Sequence, residues 1–160
     1  MYVEFDELAD RARVWIYQAN RQLTENETTE LQMGAQKFAT SWATHGVGLK
    51  ASAKVFHNQF LVLAVDESDQ HASGCSIDRS VAFVKQAEKQ FNLNFFDRSK
   101  VAVQNGEEVT LEPLNQLKNK IAEGKIQNDT ITFNNLVATK GEMKEKWLAP
   151  AQDTWLARYF

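Results

Sequence analysis

Hydrophobic and polar residues alternate in parts of this chain and recur every three or four positions elsewhere, which predicts both strands and helices. Arg13–Gln18 is rich in β-branched and aromatic residues and is predicted to be the first strand. Leu49–Val55 alternates between apolar and polar positions, which indicates a strand with one wet face. Phe60–Val65 is apolar throughout, which favours an interior strand. Because the short segment His57–Gln59 connects the last two strands, they should form an antiparallel hairpin.

Two segments have the period of an amphipathic helix. The first begins after Thr24, which stands three positions before Glu27 as in a capping box. It should end at Gly46, because glycine readily takes the left-handed conformation that closes many helices. The second follows the polar segment Asp66–Asp78. Each helix carries one apolar stripe that should pack on a sheet, Leu31, Ala35, Phe38 and Trp42 in the first and Ile77, Val81, Val84 and Phe91 in the second.

The second half of the chain begins with another hairpin and a third helix. Val101–Gln104 and Glu107–Leu111 are joined by Asn105-Gly106, a dipeptide that readily adopts positive φ at both central positions of a turn. Pro113 suits the first position of a helix, and Gly124 suits the position after its last residue. The side chains expected to face inward are Leu114, Leu117 and Ile121.

The remaining segments complete the predicted fold. Thr130–Asn134 is predicted to be the last strand, and residues 141–160 to form one or two short helices broken near Pro150. The resulting order is β-α-β-β-α-β-β-α-β-α. Hairpins mixed with helices are typical of a single α+β domain, here residues 1–160, with a largely antiparallel or mixed sheet and helices mainly on one face.

Composition narrows the classes of function. With 160 residues, 43% hydrophobic and 24% charged, the chain has the size and make-up of one globular domain. The net charge is −3. The sequence has no extended basic region that would attract nucleic acid and no polybasic segment that would bind a membrane surface. Phe60–Val65, its longest apolar run, is far shorter than the ~20 residues of a spanning helix. A single cysteine and no visible signal peptide favour a cytoplasmic location.

The stretch from Ser73 to Arg79 is the candidate ligand site. It lies between a buried strand and the predicted start of the second helix, where backbone N–H groups and the helix dipole favour anions. Gly74 lets a ligand approach the backbone, and Arg79 can pair with a carboxylate or phosphate. We therefore predict a site for a small anionic ligand formed by Ser73, Gly74, Cys75, Ser76 and Arg79.

Cys75 is the candidate catalytic residue. Helix N-termini stabilise thiolates, so Cys75 could act as a thiol nucleophile or redox centre, with His71 or His57 as its base. The structural alternative is that Ser76 or Asp78 caps the helix while Cys75 packs as a small apolar residue. The leading interpretation is a non-catalytic binding or interaction domain, with the thiol enzyme as the alternative. No cofactor or metal site is predicted, since the histidines lack partners at zinc-binding spacing.

The last segment is rich in aromatic residues, Trp147, Trp155, Tyr159 and Phe160. Chain ends often fray, but this much apolar surface in water would form a patch that soluble monomers avoid. We therefore expect residues 147–160 to pack either on the sheet or against a second copy of the chain. In the second case the aromatic segment would form a homodimer interface, or the surface for another protein partner.

Three segments resemble those of one family: Trp15-Ile16-Tyr17-Gln18, Gly74-Cys75-Ser76-Ile77-Asp78 and Trp147-x-x-Pro150-x-x-x-x-Trp155. The chain resembles a family of short bacterial proteins of unassigned function, some labelled "ABC transporter ATPase". The resemblance covers nearly the whole chain and implies a bacterial source but no activity. A P-loop requires Gly-x-x-x-x-Gly-Lys-Ser/Thr, whereas here Gly124-Lys125 is followed by Ile126, and the ABC signature is absent too. We therefore predict that the protein does not hydrolyse ATP.

Overall fold

The computed structural model describes residues 1–160 and contains nine strands and four α-helices. The strands are β1 (Arg13–Gln18), β2 (Ala43–Thr44), β3 (Val47–Gly48), β4 (Lys50–Phe56), β5 (Phe60–Asp66), β6 (Lys100–Asn105), β7 (Glu108–Pro113), β8 (Ile131–Phe133) and β9 (Leu148–Pro150). The helices are α1 (Glu25–Ser41), α2 (Gly74–Phe91), α3 (Leu117–Ala122) and α4 (Lys140–Lys146). None of these helices combines the length and apolar character needed to cross a lipid bilayer. The predicted α+β class and antiparallel pairing are confirmed.

The central strand of the molecule is β5, which lies between β1 and β4 in a three-stranded antiparallel sheet. Every residue of β5 is buried. The predicted interior position of Phe60–Val65 and its hairpin with Leu49–Val55 are therefore confirmed. In the connection between the two strands His57 and Asn58 have φ values of 56° and 51°, and this left-handed backbone reverses the chain.

Both faces of this sheet are covered. Helices α1 and α2 pack on one face, and the other face meets a second sheet, of order β7-β6-β8-β9, together with α4. Because side chains alternate along a strand, β5 divides its residues between two cores. Leu61, Leu63 and Val65 join the helix-side core, and Phe60, Val62 and Ala64 join the core between the sheets.

Helix α1 begins with the predicted capping box. The hydroxyl of Thr24 accepts from the N–H of Glu27 at 3.1 Å, and the carboxylate of Glu27 accepts from the N–H of Thr24 at 2.9 Å. Arg21 also donates to the carboxylate of Glu27 at 2.8 Å. The hydrogen bonds from Arg21 and then Thr24 lower the pKa of Glu27 to about 2.

The predicted end of α1 at Gly46 is wrong. The helix ends at Ser41, and the C=O of Trp42 then accepts a hydrogen bond of 2.9 Å from the N–H of Leu49. This bond closes the short β2–β3 hairpin, in which His45 and Gly46 have φ values of 50° and 78°. The positive φ expected at Gly46 is present, but it serves a hairpin turn instead of a helix end.

Two predicted boundaries in the second half are also wrong. The β6–β7 turn is formed by Gly106 and Glu107, because Asn105 still belongs to the ladder and only Gly106 has positive φ. Pro113 is the last residue of β7 and not the first of a helix. A strand end tolerates proline because no ladder N–H is needed there. Helix α3 begins later, after a short 3₁₀ turn.

The C-terminal segment packs on the chain's own core, the first of the two arrangements expected. Trp147 and Leu156 are each 3% exposed, whereas Trp155 is 37% and Phe160 46% exposed. The prediction of short helices broken near Pro150 is confirmed in part, because α4 occupies Lys140–Lys146 and the chain breaks at Pro150. The strand β9, which ends at Pro150 and pairs with β8, was not predicted, and only 3₁₀ turns follow it. The segment is therefore held by backbone pairing as well as by its buried aromatic and aliphatic side chains.

Candidate functional site

The serines of the predicted ligand site are used by the start of α2 itself. Ser73 is the N-cap, and its hydroxyl accepts from the N–H of Ser76 at 3.2 Å and from the hydroxyl of Thr44 at 2.9 Å. Ser76 is buried and donates its hydroxyl to the C=O of Ser73 at 2.8 Å. The C=O of Ser76 in turn accepts from the indole of Trp42 at 2.8 Å. The N-cap is therefore Ser73, and the expectation that Ser76 or Asp78 caps the helix is wrong.

Gly74, Cys75 and Arg79 are the predicted site residues that remain exposed. The N–H groups of Gly74 and Cys75 donate no hydrogen bond within the chain. These three residues form an exposed helix end, and no enclosing wall is built around them. Their ligand-binding role stays a prediction.

The candidate catalytic residues do not form a nucleophile–base pair. Cys75 is exposed, and no histidine is hydrogen-bonded to it. The side chain of His71 is 87% exposed and lies 3.7 Å from the carboxylate of Glu67. His57 lies in the β4–β5 connection, at the opposite end of β5 from the start of α2. Since a strand rises ~3.3 Å per residue, the length of β5 places His57 roughly 20 Å away, too far to take a proton from Cys75.

Asp66, the buried acidic residue that ends β5, is paired with a basic side chain. Arg11 donates to the two carboxylate oxygens of Asp66 at 3.1 and 3.2 Å. Burial raises the pKa of Asp66, but the hydrogen bonds from Arg11 and Ser68 outweigh burial and hold this pKa below its usual range. These contacts give Asp66 a structural role in holding the loop that leads to α2.

A groove of about 800 Å³ runs along the outer edge of β1. It is lined by β1 from Val14 to Gln18, by Phe95–Arg98 after α2, by Leu136 before α4 and by Trp155 near the C-terminus. Its lining residues come from the helix-side core, from the core between the sheets and from a third buried cluster, which β6, α3 and the C-terminal segment form. The groove therefore lies where the helix layer, the two sheets and the C-terminal segment meet.

Exposed apolar side chains surround this groove, which we call the β1 groove. Phe96 is 38%, Leu136 73% and Trp155 37% exposed, although all three are large and hydrophobic. Contiguous apolar surface of this kind typically marks a binding site. Two of the three segments on which the family resemblance rests, Trp15–Gln18 and the one that ends at Trp155, also meet here.

The outer edge of β1 is covered at both of its ends. At the start of the strand the N–H of Val14 donates to the C=O of Ala138 at 3.0 Å. Just beyond its end the N–H of Asn20 donates to the C=O of Asn94 at 2.9 Å. Both bonds point away from β5, and successive residues of a strand alternate between its two neighbours. The even-numbered residues of β1 therefore face outward.

Between these covered ends the edge of β1 is open. Ile16 and Gln18 direct their backbone N–H and C=O groups outward, and these groups make no hydrogen bond within the chain. Both residues line the β1 groove. An unpaired strand edge is a template for pairing with another chain. The groove thus combines apolar side chains with oriented backbone donors and acceptors.

Side-chain hydrogen bonds fix the groove on one side. The amide of Gln18 donates to the C=O of Lys100 at 3.2 Å, and the amide of Asn135 donates to Oε1 of Gln18 at 3.0 Å. The indole of Trp147 completes the series by donating to Oδ1 of Asn135 at 2.9 Å. This series joins β1, β6 and the segments on both sides of α4. A satisfied polar network of this kind rigidifies the residues it connects.

Comparisons with models of known protein families, with curated proteins and with solved structures find no match to this chain. The family resemblance therefore stays a prediction, and function has to be inferred from the chain's own geometry. The sequence alone did not indicate the β1 groove. Trp15 and Tyr17 showed a strand, but nothing in their spacing showed that Phe96, Leu136 and Trp155 would lie beside it.

Proposed function

We propose that this protein is a non-catalytic binding domain whose ligand occupies the β1 groove. The observation that carries the proposal is the open edge at Ile16 and Gln18 within a groove lined by exposed apolar side chains. Ligand sites are typically concave and mostly apolar, with a few oriented polar groups and a volume of ~300–1,000 Å³. The groove has each of these properties. The single cysteine and the family resemblance support a bacterial, cytoplasmic setting.

The helix end at Gly74, Cys75 and Arg79 is the second candidate for ligand binding. Its two free N–H groups and the guanidinium favour a small anion. It offers no apolar wall and leaves most of a ligand in solvent, so the contacts available are fewer than in the β1 groove. The enzyme alternative has less support, because Cys75 is exposed and neither His71 nor His57 is hydrogen-bonded to it.

Amide chemical shifts can distinguish these sites. The ¹⁵N-labelled protein would be titrated separately with an indole fragment, a pool of random heptapeptides and sodium sulfate. We expect the fragment or the peptides to shift the amides of Val14–Gln18, Phe95–Lys100 and Leu136. Shifts confined to residues 73–79 on sulfate addition would instead place the site at the helix end and overturn the proposal. The absence of any shift with all three ligands would also overturn it.

A pair of surface variants provides the control. Leu136→Lys places a charge at the β1 groove, and Met33→Lys makes the same change on α1, where Met33 is 68% exposed and outside the groove. Both side chains are exposed, so both variants should keep the wild-type melting temperature. The groove shifts should be lost in Leu136→Lys and kept in Met33→Lys. Equal shifts in the two variants would contradict binding in the groove.

A further inference from the structure

We infer that the β1 groove binds an extended segment of a partner polypeptide, which pairs with β1 as an additional strand. This inference rests on the proposed function and specifies its ligand. It follows from the open backbone edge, from the side chains on either side of that edge and from the charges at the groove.

The backbone specifies an extended chain. Outward N–H and C=O groups recur at Ile16 and Gln18, a repeat of two residues and ~6.6–6.8 Å, which is the repeat of a neighbouring strand. A small apolar molecule does not supply donors and acceptors at this spacing. The edge is closed by Ala138 before the gap and by Asn94 after it. The open stretch begins at the C=O of Val14, which accepts no hydrogen bond, and ends at Gln18. It is ~13 Å long, so the paired part of the partner is about five residues.

The side chains specify an apolar segment. An added strand points its side chains alternately to the two faces of the sheet. On the helix side they meet Tyr17 and Phe96, whose rings form an edge contact with centroids 5.5 Å apart. On the other side they meet Ile16, Leu136 and the residues around them. Because both faces are apolar, the bound segment should be hydrophobic at consecutive positions, as β5 is.

The charges specify an acidic residue beside that apolar run. Arg98 and Lys100 line the groove, and Arg98 forms no ion pair within the chain. The one carboxylate that lines the groove, Asp97, already accepts from the N–H and hydroxyl of Ser99 at 2.9 and 2.5 Å. These hydrogen bonds leave the carboxylate of Asp97 charged, and Lys100 is the cation that interacts with it. Arg98 is therefore the lining cation without a counter-ion, and the groove carries a net positive charge that a carboxylate of the partner complements.

Peptide display tests the inference. A phage library of random heptapeptides would be panned on the wild-type protein after depletion on Leu136→Lys, and enriched peptides would be synthesised for calorimetry. We expect consecutive apolar residues flanked by Asp or Glu. Their affinity should be kept in Met33→Lys and lost in Leu136→Lys. Arg98→Glu should weaken binding by roughly 2- to 5-fold or more, as for an exposed ion pair, and Arg79→Glu, outside the groove, should not.

Backbone pairing is tested on the peptide and on the protein. Single N-methylation of each peptide amide should abolish binding at alternate positions only, because every second N–H faces β1. In hydrogen exchange, the amides of Ile16 and Gln18 should exchange rapidly in the free protein and slowly in the complex. Without this alternation and this protection, strand addition is wrong, even if the peptides still bind in the groove.

The other outcomes separate the inference from the proposed function. If no peptide is enriched but the indole fragment still shifts the groove amides, the polypeptide ligand is wrong and the binding function stands. If neither binds, both are wrong. A peptide that binds Leu136→Lys as well as wild type would place the polypeptide elsewhere and also overturn the inference.

Discussion

The indole of Trp147 donates a hydrogen bond of 2.9 Å to the amide oxygen of Asn135. Trp147 also packs edge-on against Phe60 and Phe133, with ring centroids 5.0 and 5.1 Å away. The same side chain therefore fills the core between the sheets and anchors the hydrogen bonds that lead through Asn135 to the β1 groove. Trp155, only eight positions later, is 37% exposed at that groove.

The two tryptophans should respond differently to truncation. We expect Trp147→Ala to lower the free energy of unfolding by about 3–5 kcal/mol, because it opens a cavity and leaves Asn135 without its donor. Trp155→Ala should cost less than about 1 kcal/mol, since its ring is partly in solvent. Denaturant titration of both variants measures the difference.

Deletion of residues 147–160 should lower the melting temperature, and sizing of the intact protein will show whether Trp155 and Phe160 also hold a dimer.

Leu63 tests the central position of β5. Its side chain is fully buried in the helix-side core. Leu63→Ala should therefore lower the free energy of unfolding by about 2–5 kcal/mol. Leu136→Ala is the matched control, because this leucine is 73% exposed and should change stability by no more than about 0.5 kcal/mol. A loss below ~1 kcal/mol for Leu63→Ala in denaturant titration would contradict the burial of β5.

Ionisation of Glu27 should make the free energy of unfolding depend on pH in the acidic range. The pKa of Glu27 is lowered to about 2 by Arg21 and Thr24, so its contribution is fully present above its unfolded pKa and disappears as the pH falls through about 2. Glu27→Gln should be destabilised by roughly 1 kcal/mol near pH 7, the usual size of a cap contribution, and the difference from wild type should vanish in strong acid. Glu25→Gln, in the same turn, should show a smaller change. A constant difference across the pH range would be inconsistent with the lowered pKa.

His57 should oppose folding when it is protonated. Burial lowers the pKa of His57, whose ring packs edge-on against Phe133 with centroids 5.3 Å apart. Folding therefore favours the neutral ring, and stability should fall as the pH drops below the unfolded value of ~6.5 towards the lower folded pKa. In His57→Asn, which also tolerates the positive φ, this part of the pH dependence should be absent between pH 7 and pH 5. Thermal melts from pH 5 to pH 7 measure this effect. Identical dependence of the melting temperature on pH in wild type and His57→Asn would contradict a role for His57.

Cys75 should react as an exposed thiol that has no catalytic partner. We expect iodoacetamide to alkylate it in the native protein, and His71→Ala and His57→Ala to leave the rate unchanged. The reason is that no histidine is hydrogen-bonded to the thiol. Mass spectrometry of timed samples measures the rate. A marked slowing in His71→Ala alone would restore the thiol-enzyme alternative, since it would show that this histidine assists the reaction.

The sequence pattern correctly predicted those strands and helix caps that depend on interactions between residues close in sequence. Arg13–Gln18 is β1 as expected, and Thr24 and Glu27 form their capping box. The boundaries that were wrong lie at residues compatible with two structures. Gly46 has the positive φ expected of it but in a hairpin, and Pro113 ends a strand where a helix start was expected. Pro113 is held in its strand by pairing with Lys100, which is thirteen positions away. The hairpin at Gly46 is closed by pairs as near in sequence as those of a helix, so local spacing did not distinguish the two structures.

The predicted ligand site at residues 73–79 also depends on contacts that the sequence pattern does not reveal. The sequence placed Ser73 and Ser76 at a helix start, and the structure confirms the helix but uses their hydroxyls for capping and burial. Whether a hydroxyl faces a ligand or the backbone depends on what packs beside it, here Thr44 and Trp42. Those residues are about thirty positions away, so their proximity could not be seen from the spacing of the serines.

By itself the sequence determined the α+β class, the buried strand and its hairpin, because hydrophobic periodicity and turn chemistry act over a few residues. Only the tertiary structure decided that β5 divides its side chains between two cores and that Ile16 and Gln18 keep an open edge. Both depend on which distant segments cover β1, namely the residues around Ala138 and Asn94. Whether a strand edge is paired or open depends on which distant segments pack beside it. That packing involves the helix layer and both sheets together, so it cannot be seen in the pattern of one strand.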